Sequence, residues 1–193
     1  MLHNLQKYHI VLASGSPRRK ELLAGLGLDY EVKLLPDIDE SYPPTLQAEE
    51  IPVYIAREKA AAYQKLMRPD ELIITADTIV WLDGAVLGKP ATEEEARDML
   101  RRLSGRTHLV ATGVCLTTTD KQHVFSTTTE VTFAPLTPEE IDYYVSNFRP
   151  LDKAGAYGIQ EWIGYIGVES IRGSYFNVMG LPVQRLYREL QKI

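Results

Sequence analysis

Leu72-Ile73-Ile74-Thr75-Ala76-Asp77-Thr78-Ile79-Val80-Trp81-Leu82-Asp83-Gly84-Ala85-Val86-Leu87 is the stretch on which the architecture turns. Its first part is apolar and rich in β-branched residues, the composition of a long strand. Asp83-Gly84 is the dipeptide preferred in a two-residue hairpin turn, and Ala85-Val86-Leu87 then returns alongside. Upstream, Ile10-Val11-Leu12-Ala13 is a short apolar run bounded by Ser14-Gly15-Ser16-Pro17. Leu22, Leu23 and Leu26 follow at helical spacing until Gly25 and Gly27, so the reading is strand, tight loop, helix, with Ser16 as N-cap and Pro17 at the first helical position. A second helix is expected from Pro52 to about Met67, on the apolar row Ala56, Ala60, Tyr63, Met67. Downstream, Thr92 and Glu95 form a capping box for a helix bearing Ala96, Met99, Leu100 and Leu103 and stopping at Ser104-Gly105. Thr107 to Thr118 and His123 to Phe133 read as paired strands. Thr137, Pro138 and Glu140 open a helix to about Phe148. Gly155 to Gly180 suggests irregular strands and turns before a last helix from Pro182. Hairpins interleaved with helices imply an α/β fold with a mixed β-sheet and flanking helices, not a purely parallel one.

The chain has 193 residues, 45% hydrophobic and 24% charged, enough to bury a sizeable core. No stretch divides it into compositionally different halves, so one domain over 1–193 is expected, bilobed at most. A formal net charge of −5 argues against a general nucleic-acid binder. Met1 to His9 holds polar side chains where a signal peptide needs an apolar core. The longest apolar stretch, Leu72 to Leu82, falls far short of the ~20 residues that span a bilayer. A cytoplasmic location and no membrane partner are expected. Cys115, the single cysteine, lies between Val114 and Leu116 in a strand and reads as a reduced buried thiol. His3, His9, His108 and His123 show no zinc-type spacing.

Ser14-Gly15-Ser16-Pro17-Arg18-Arg19 places two guanidinium groups in the first turn of a helix, where they oppose its dipole. An anion bound at that N-terminus reverses the penalty, and the backbone N–H groups, the hydroxyls of Ser14 and Ser16, and Arg18 together suit a polyphosphate. The alternative is a solvated basic helix start. No Walker A loop is present, since Gly84 to Gly88-Lys89 has the wrong spacing and Pro90 follows; Gly25-Leu26-Gly27 ends a helix rather than opening one. Asp77 is a carboxylate in an apolar strand and is costly to bury unless paired, hydrogen-bonded or metal-bound. Across the Asp83-Gly84 turn, Lys89 returns to within one residue of Asp77, but strict alternation puts the two on opposite faces. A bulge, or divergence of the strands before Lys89, is needed for them to share a site. Lys59 shares a stripe with Ile55, Ala62 and Leu66, the pattern either of a lysine running its stem along apolar surface or of a phosphate contact. Asp37, Asp39 and Glu40 are either a solvated loop or oxygen donors for a hard cation.

Five blocks occur in an order that resembles the Maf family of nucleoside triphosphate pyrophosphatases: Leu12 to Arg19, Ala76 to Val80, Gly88-Lys89-Pro90, Leu103 to His108, and Asp152-Lys153-Ala154-Gly155-Ala156-Tyr157-Gly158-Ile159-Gln160. The resemblance runs from about Ile10 to Val183. It implies a Maf/inosine-triphosphatase-like fold with a central cleft, a divalent metal cation (Mg, Mn or Co), and hydrolysis of a nucleoside triphosphate between its α- and β-phosphates. By this resemblance Asp77 is the proton acceptor, Glu40 and Asp77 are the carboxylates near the metal, and Lys59 and Lys89 contact phosphate. Ser14, Arg18 and Arg19 match the phosphate loop. Gly158-Ile159-Gln160, with Arg18 and Thr78, resembles the branch acting on dTTP and UTP rather than on 7-methyl-GTP, and a glutamine amide suits the imide of uracil or thymine. After this glutamine the family usually has glycine, where this chain has Glu161-Trp162. A non-catalytic nucleotide-binding regulator of septum formation is the competing class, and a homodimer is compatible with either.

Overall fold

The computed structural model describes residues 2–193. In chain order the elements are β1 (His9–Leu12), α1 (Pro17–Ala24), β2 (Glu31–Val32), α2 (Glu50–Gln64), β3 (Glu71–Leu82), β4 (Ala85–Leu87), α3 (Glu93–Leu103), β5 (Thr107–Thr117), β6 (Gln122–Phe133), α4 (Pro138–Phe148), α5 (Trp162–Gly167), β7 (Val168–Arg172), α6 (Tyr175–Met179) and α7 (Val183–Leu190), with short 3-10 turns at His3–Leu5 and Ala154–Ala156. The strands form one seven-stranded sheet in the order β2-β1-β3-β5-β6-β7, with β4 on β3. β1 runs parallel to β2 and β3, and every other pairing is antiparallel. The mixed sheet expected from the hairpin is therefore what forms.

Alternation along the strands divides the core. Leu12, Ile74, Val80, Val110 and Leu116 face the larger side, where they pack with Leu100 and Leu103 of α3 and Leu186 and Leu190 of α7. Each such side chain stabilises the fold by about 1.5–3 kcal/mol relative to exposure. Ile73, Ile79, Ala111 and Cys115 face the other side and meet Tyr63, Ile51, Ile55, Ala56 and Ala60 of α2. Thr75 Oγ1 donates to the Ala56 carbonyl at 2.7 Å, tying α2 to β3.

The local signals hold in detail. Ser16 accepts the Arg19 N–H with Pro17 at the helix start, and Thr137 and Glu140 complete a reciprocal capping box on α4. Thr92 accepts the Glu95 N–H, but the Glu95 carboxylate reaches back to Ala91 N–H at 2.7 Å, so that box is half formed. Asp83 and Gly84 both have positive φ, 52° and 77°, as a tight hairpin turn requires. Three expectations change. α2 begins at Glu50 and ends at Gln64, leaving Met67 outside; Pro52 is tolerated because it stands in the first turn. β2 was not anticipated, since two residues carry no period. The segment expected to be irregular contains the short helices α5 and α6 around β7, and Ser174 caps α6.

On the flank of α7, the Glu189 side chain is only 2% exposed and pairs with His123, Arg185 and Lys192 at 2.7, 2.6 and 2.8 Å. Burial alone raises its pKa; the hydrogen bonds from Lys192, His123 and Arg185 overcome this and hold it at about 2. A depressed carboxylate contributes stability above its unfolded value of about 4.5, and that contribution is lost as pH falls through the folded value. Glu189→Gln should therefore flatten the loss of melting temperature between about pH 4.5 and pH 2; thermal scans across that window check it, and parallel curves would dismiss the pairing as a source of acid sensitivity.

Candidate active site

β1 pairs with β3 only as far as Leu12 opposite Ile74, and β4 joins the same edge of β3 only from Val80, opposite Leu87. Between them the β3 edge is open, and a cavity of about 490 Å³ lies against it. A crevice beyond the carboxyl end of a parallel strand, where its neighbours diverge, is where α/β sheets bind ligands. Because the cavity meets the strand at its edge, side chains from both faces reach it: Asp77 on the α2 face and Thr78 on the other both line it. Lys89 lines it too. The ladder ends at Leu87, and Gly88 turns its carbonyl to the Gly155 N–H at 3.0 Å, so the strands diverge before Lys89 and the opposite-face problem does not arise.

The cavity lining is partly ionic. Lys59, buried on α2, points its ammonium at Glu40 Oε1 (2.8 Å) and Asp77 Oδ1 (3.0 Å). The lysine is thus a buried partner of two carboxylates rather than a stem lying on apolar surface; Leu66, expected on its stripe, is exposed. Of the acidic loop, Glu40 faces this lysine, whereas the Asp39 carboxylate accepts the N–H and hydroxyl of Ser41 and caps its own turn. For Glu40, burial that raises the pKa is outweighed by the hydrogen bond and charge of Lys59, with Lys89 and Arg19 acting in the same direction, so it is held below the usual carboxylate range.

α1 supplies the next wall. Arg19 is committed to the backbone: Nε donates to Gly180 O (2.9 Å), one terminal nitrogen to Ala76 O (2.9 Å), and the other to Thr78 Oγ1 (3.1 Å). It clamps α1 to the open edge of β3 and to the end of α6. Arg18 is freer, with one contact to Asp152 at 3.4 Å. Ser14 Oγ accepts the Ser16 N–H at 3.3 Å, shaping the loop that lines the cavity. Thr78 Oγ1 also meets Thr112 Oγ1 at 2.9 Å and lies 3.3 Å from Gly180 O, so its hydroxyl is locked.

The cavity is also lined by the apolar Val80, Val110, Val178 and Met179 and by Tyr157, Gly158 and Gln160. Gln160 Oε1 is buried and has no hydrogen-bond partner among the described residues. A buried acceptor left open costs about 1–3 kcal/mol, which a ligand donor would return. Of the residues singled out from the sequence for a possible site, Ser14, Ser16, Arg18, Arg19, Asp37, Glu40, Lys59, Asp77, Thr78, Lys89 and Gln160 line this one cavity, and Asp39 does not. Sequence reasoning gave no role to Lys153, Asp152 or Glu161. Lys153 is 8% exposed and lines the cavity between Asp152 and Glu161. Its only signal was membership of the Asp152 to Gln160 block, since an irregular segment offers no period from which to place a side chain.

Outside the cavity, Cys115 is buried, as the sequence suggested. Burial pushes the Cys115 thiol up, away from a nucleophile. His108, under the site, pairs with Tyr157 OH at 2.7 Å and is pushed down to about 4 by burial, so it is neutral. Among the described residues no cluster of three or more His, Cys, Asp or Glu side chains is placed to hold a metal, and no helix is long and apolar enough to cross a membrane. Glu40 and Asp77 meet the same ammonium and line the cavity. Two carboxylates fit a hard cation that completes its shell from phosphate oxygens and water.

Comparison with known proteins finds relatives over the whole chain. Proteins named dTTP/UTP pyrophosphatase from Phocaeicola vulgatus and Bacteroides fragilis are 71% and 65% identical to this chain over 193 residues, covering 100% of both chains in each case. One from Porphyromonas gingivalis is 58% identical, covering 99% of this chain and 97% of its own. The fold resembles the Staphylococcus aureus Ham1 protein, with a TM-score of 0.52 at 20% identity over 94% of this chain and 99% of that one. A HAM1 protein from Coxiella burnetii gives 0.51 at 19% identity over 96% and 100%. Four of the five sequence blocks contribute to the one cavity, and the family model described as Maf-like protein matches residues 9–193, so the chain belongs to the Maf family.

Proposed function

We propose that this protein is a nucleoside triphosphate pyrophosphatase that hydrolyses dTTP and UTP to the nucleoside monophosphate and pyrophosphate, as a single cytoplasmic domain that needs no nucleic-acid or membrane partner and is compatible with a homodimer. The observation that carries the reading is one cavity that brings the carboxylates of Glu40 and Asp77 and the side chains of Lys59 and Lys89 together with the apolar Val80, Val110, Val178 and Met179 and with Gln160, whose buried Oε1 has no partner among the described residues. The triphosphate lies along the Ser14 loop and Arg18. Lys59 and Lys89 offset the charge that develops on the transferring phosphorus, and Asp77 takes the proton of the attacking water. Glu40 and Asp77 would hold a divalent cation, Mg, Mn or Co, which supplies Lewis-acid stabilisation of the phosphate oxygens when bound. Arg19 holds α1, Thr78 and Gly180 together, so its part is to set the loop. In the cavity, Gln160 Oε1 accepts the imide N–H of the base and its amide N–H donates to a neighbouring carbonyl.

The test is pyrophosphate release from dTTP, UTP, CTP and GTP, with and without EDTA, in the parent protein and in Gln160→Leu. Expected is metal-dependent release, fastest with dTTP and UTP, and a roughly 10- to 100-fold fall of kcat/KM for these two in the variant with a smaller fall for GTP. Equal losses on all four would make Gln160 a support of the loop. Turnover chiefly of purine triphosphates would favour the 7-methyl-GTP branch, and tight binding without pyrophosphate release would favour a septation regulator.

A further inference from the structure

Lys153 is a buried cation that the reaction above does not use. Its ammonium has three donors. One meets Asp152 Oδ1 at 2.8 Å and one Glu161 Oε1 at 3.1 Å, leaving a third. The side chain is 9% exposed and lines the cavity. Taking an ammonium out of water costs several kcal/mol, and two carboxylates that compensate it add nothing an apolar side chain would not supply more cheaply.

Glu161 is built into this position. Tyr144 OH donates to its other carboxylate oxygen and also accepts the Gly158 N–H, at 3.0 Å. The Glu161 N–H donates to Gly158 O at 2.9 Å. A Cβ on Gly158 would lie 2.9 Å from Glu161 Cδ, so the glycine makes room for the carboxylate to fold back against its own loop. Glu161 follows Gln160 directly, and the lysine it grips lines the same cavity as Gln160. Asp152 faces the other way as well, with its second oxygen on Arg18 at 3.4 Å.

We propose that Lys153 is a base-reading residue, donating its third N–H to the O4 carbonyl of uracil or thymine, and that Glu161 is its positioning residue. This rests on the pyrimidine-reading role given to Gln160. Uracil and thymine present acceptor, donor, acceptor along O4, N3–H and O2. Gln160 answers N3–H with Oε1 and the sugar-side carbonyl with its amide N–H. O4 is the carbonyl on the side away from the sugar, and it meets the buried lysine. Cytosine carries an amino group in place of O4 and an acceptor at N3, so it sets donor against ammonium and acceptor against Oε1. Discrimination of this kind, from paired polar groups that the wrong base leaves facing like partners, exceeds what an apolar slot alone achieves.

The experiment is calorimetric binding of α,β-imido-UTP and α,β-imido-CTP, which cannot be hydrolysed at the α–β bridge, to the parent protein, Lys153→Met and Glu161→Gln, with melting curves alongside. The parent should prefer the uridine analogue. Lys153→Met should weaken uridine-analogue binding by roughly 10- to 100-fold and cytidine-analogue binding by less than about threefold. Glu161→Gln keeps the ammonium and an acceptor for Tyr144, and should narrow the preference in the same direction by a smaller factor; because it preserves the packing, it tests the idea even if Lys153→Met melts early. A parent with uridine preference and a Lys153→Met variant that weakens both analogues equally would overturn the proposal while leaving the Gln160 reading intact. A preference unmoved in Glu161→Gln would overturn the positioning role. A parent that binds both analogues equally would overturn the Gln160 reading and this proposal with it.

Discussion

Asp77→Asn should lower kcat for dTTP and UTP by about 10²–10⁴-fold with little change in melting temperature. The substitution keeps the shape of the side chain and removes its ability to take a proton. Lys59 retains Glu40 at 2.8 Å, so the buried ammonium is not stranded and α2 has no reason to move. If Asp77 also holds the cation, the variant should need more metal for half-maximal rate, and a metal titration separates that loss from the loss of the base. Activity within about threefold of the parent at saturating metal would remove Asp77 from the chemistry and leave it as the structural partner of Lys59.

Gly113→Ala should destabilise the fold directly beneath the site. Gly113 stands opposite Asp77 in the β3–β5 ladder. A Cβ there would lie 2.4 Å from Pro52 C and O and from Val53 N, backbone atoms of the first turn of α2 that cannot rotate away. The helix must lift or the strand must bend. Overpacking of this kind costs about 1–3 kcal/mol, with backbone movement at the upper end, which for a chain of this length is a fall of roughly 6–12 °C in melting temperature. Activity should fall with it, because α2 carries Lys59 and its height over the sheet sets the 3.0 Å contact with Asp77. Thermal unfolding and steady-state kinetics on the same preparation check both parts. An unchanged melting temperature would show that α2 yields freely, and unchanged kinetics in a destabilised variant would uncouple helix height from the site.

The amino-acid sequence by itself determined what short-range physics encodes. The Ser16 cap with Pro17, the Thr137 capping box, the Asp83-Gly84 turn and the apolar period of β3 are decided within a few residues, and each formed as its local chemistry requires. The same was true of buried Cys115, whereas the candidate site residues were picked out through the resemblance of widely separated blocks to a known family, with Glu40 and Lys59 outside any block. Long-range placement was decided only by the tertiary structure. That β1 stops at Leu12 and β4 begins to pair at Val80, leaving an edge that admits side chains from both faces of β3, depends on where other strands end, and no period in β3 records it. Lys59 shows the same division: its helix and its apolar neighbours were legible, but its partners come from a loop and from a strand, and only packing brings them within 3.0 Å. Gly113 carried no local signal, and Lys153 none beyond its membership of the Asp152 to Gln160 block. The first matters because a helix backbone passes over it, and the second because Glu161 folds back within an irregular segment; both contacts are made by folding and are recorded by no repeat in the sequence.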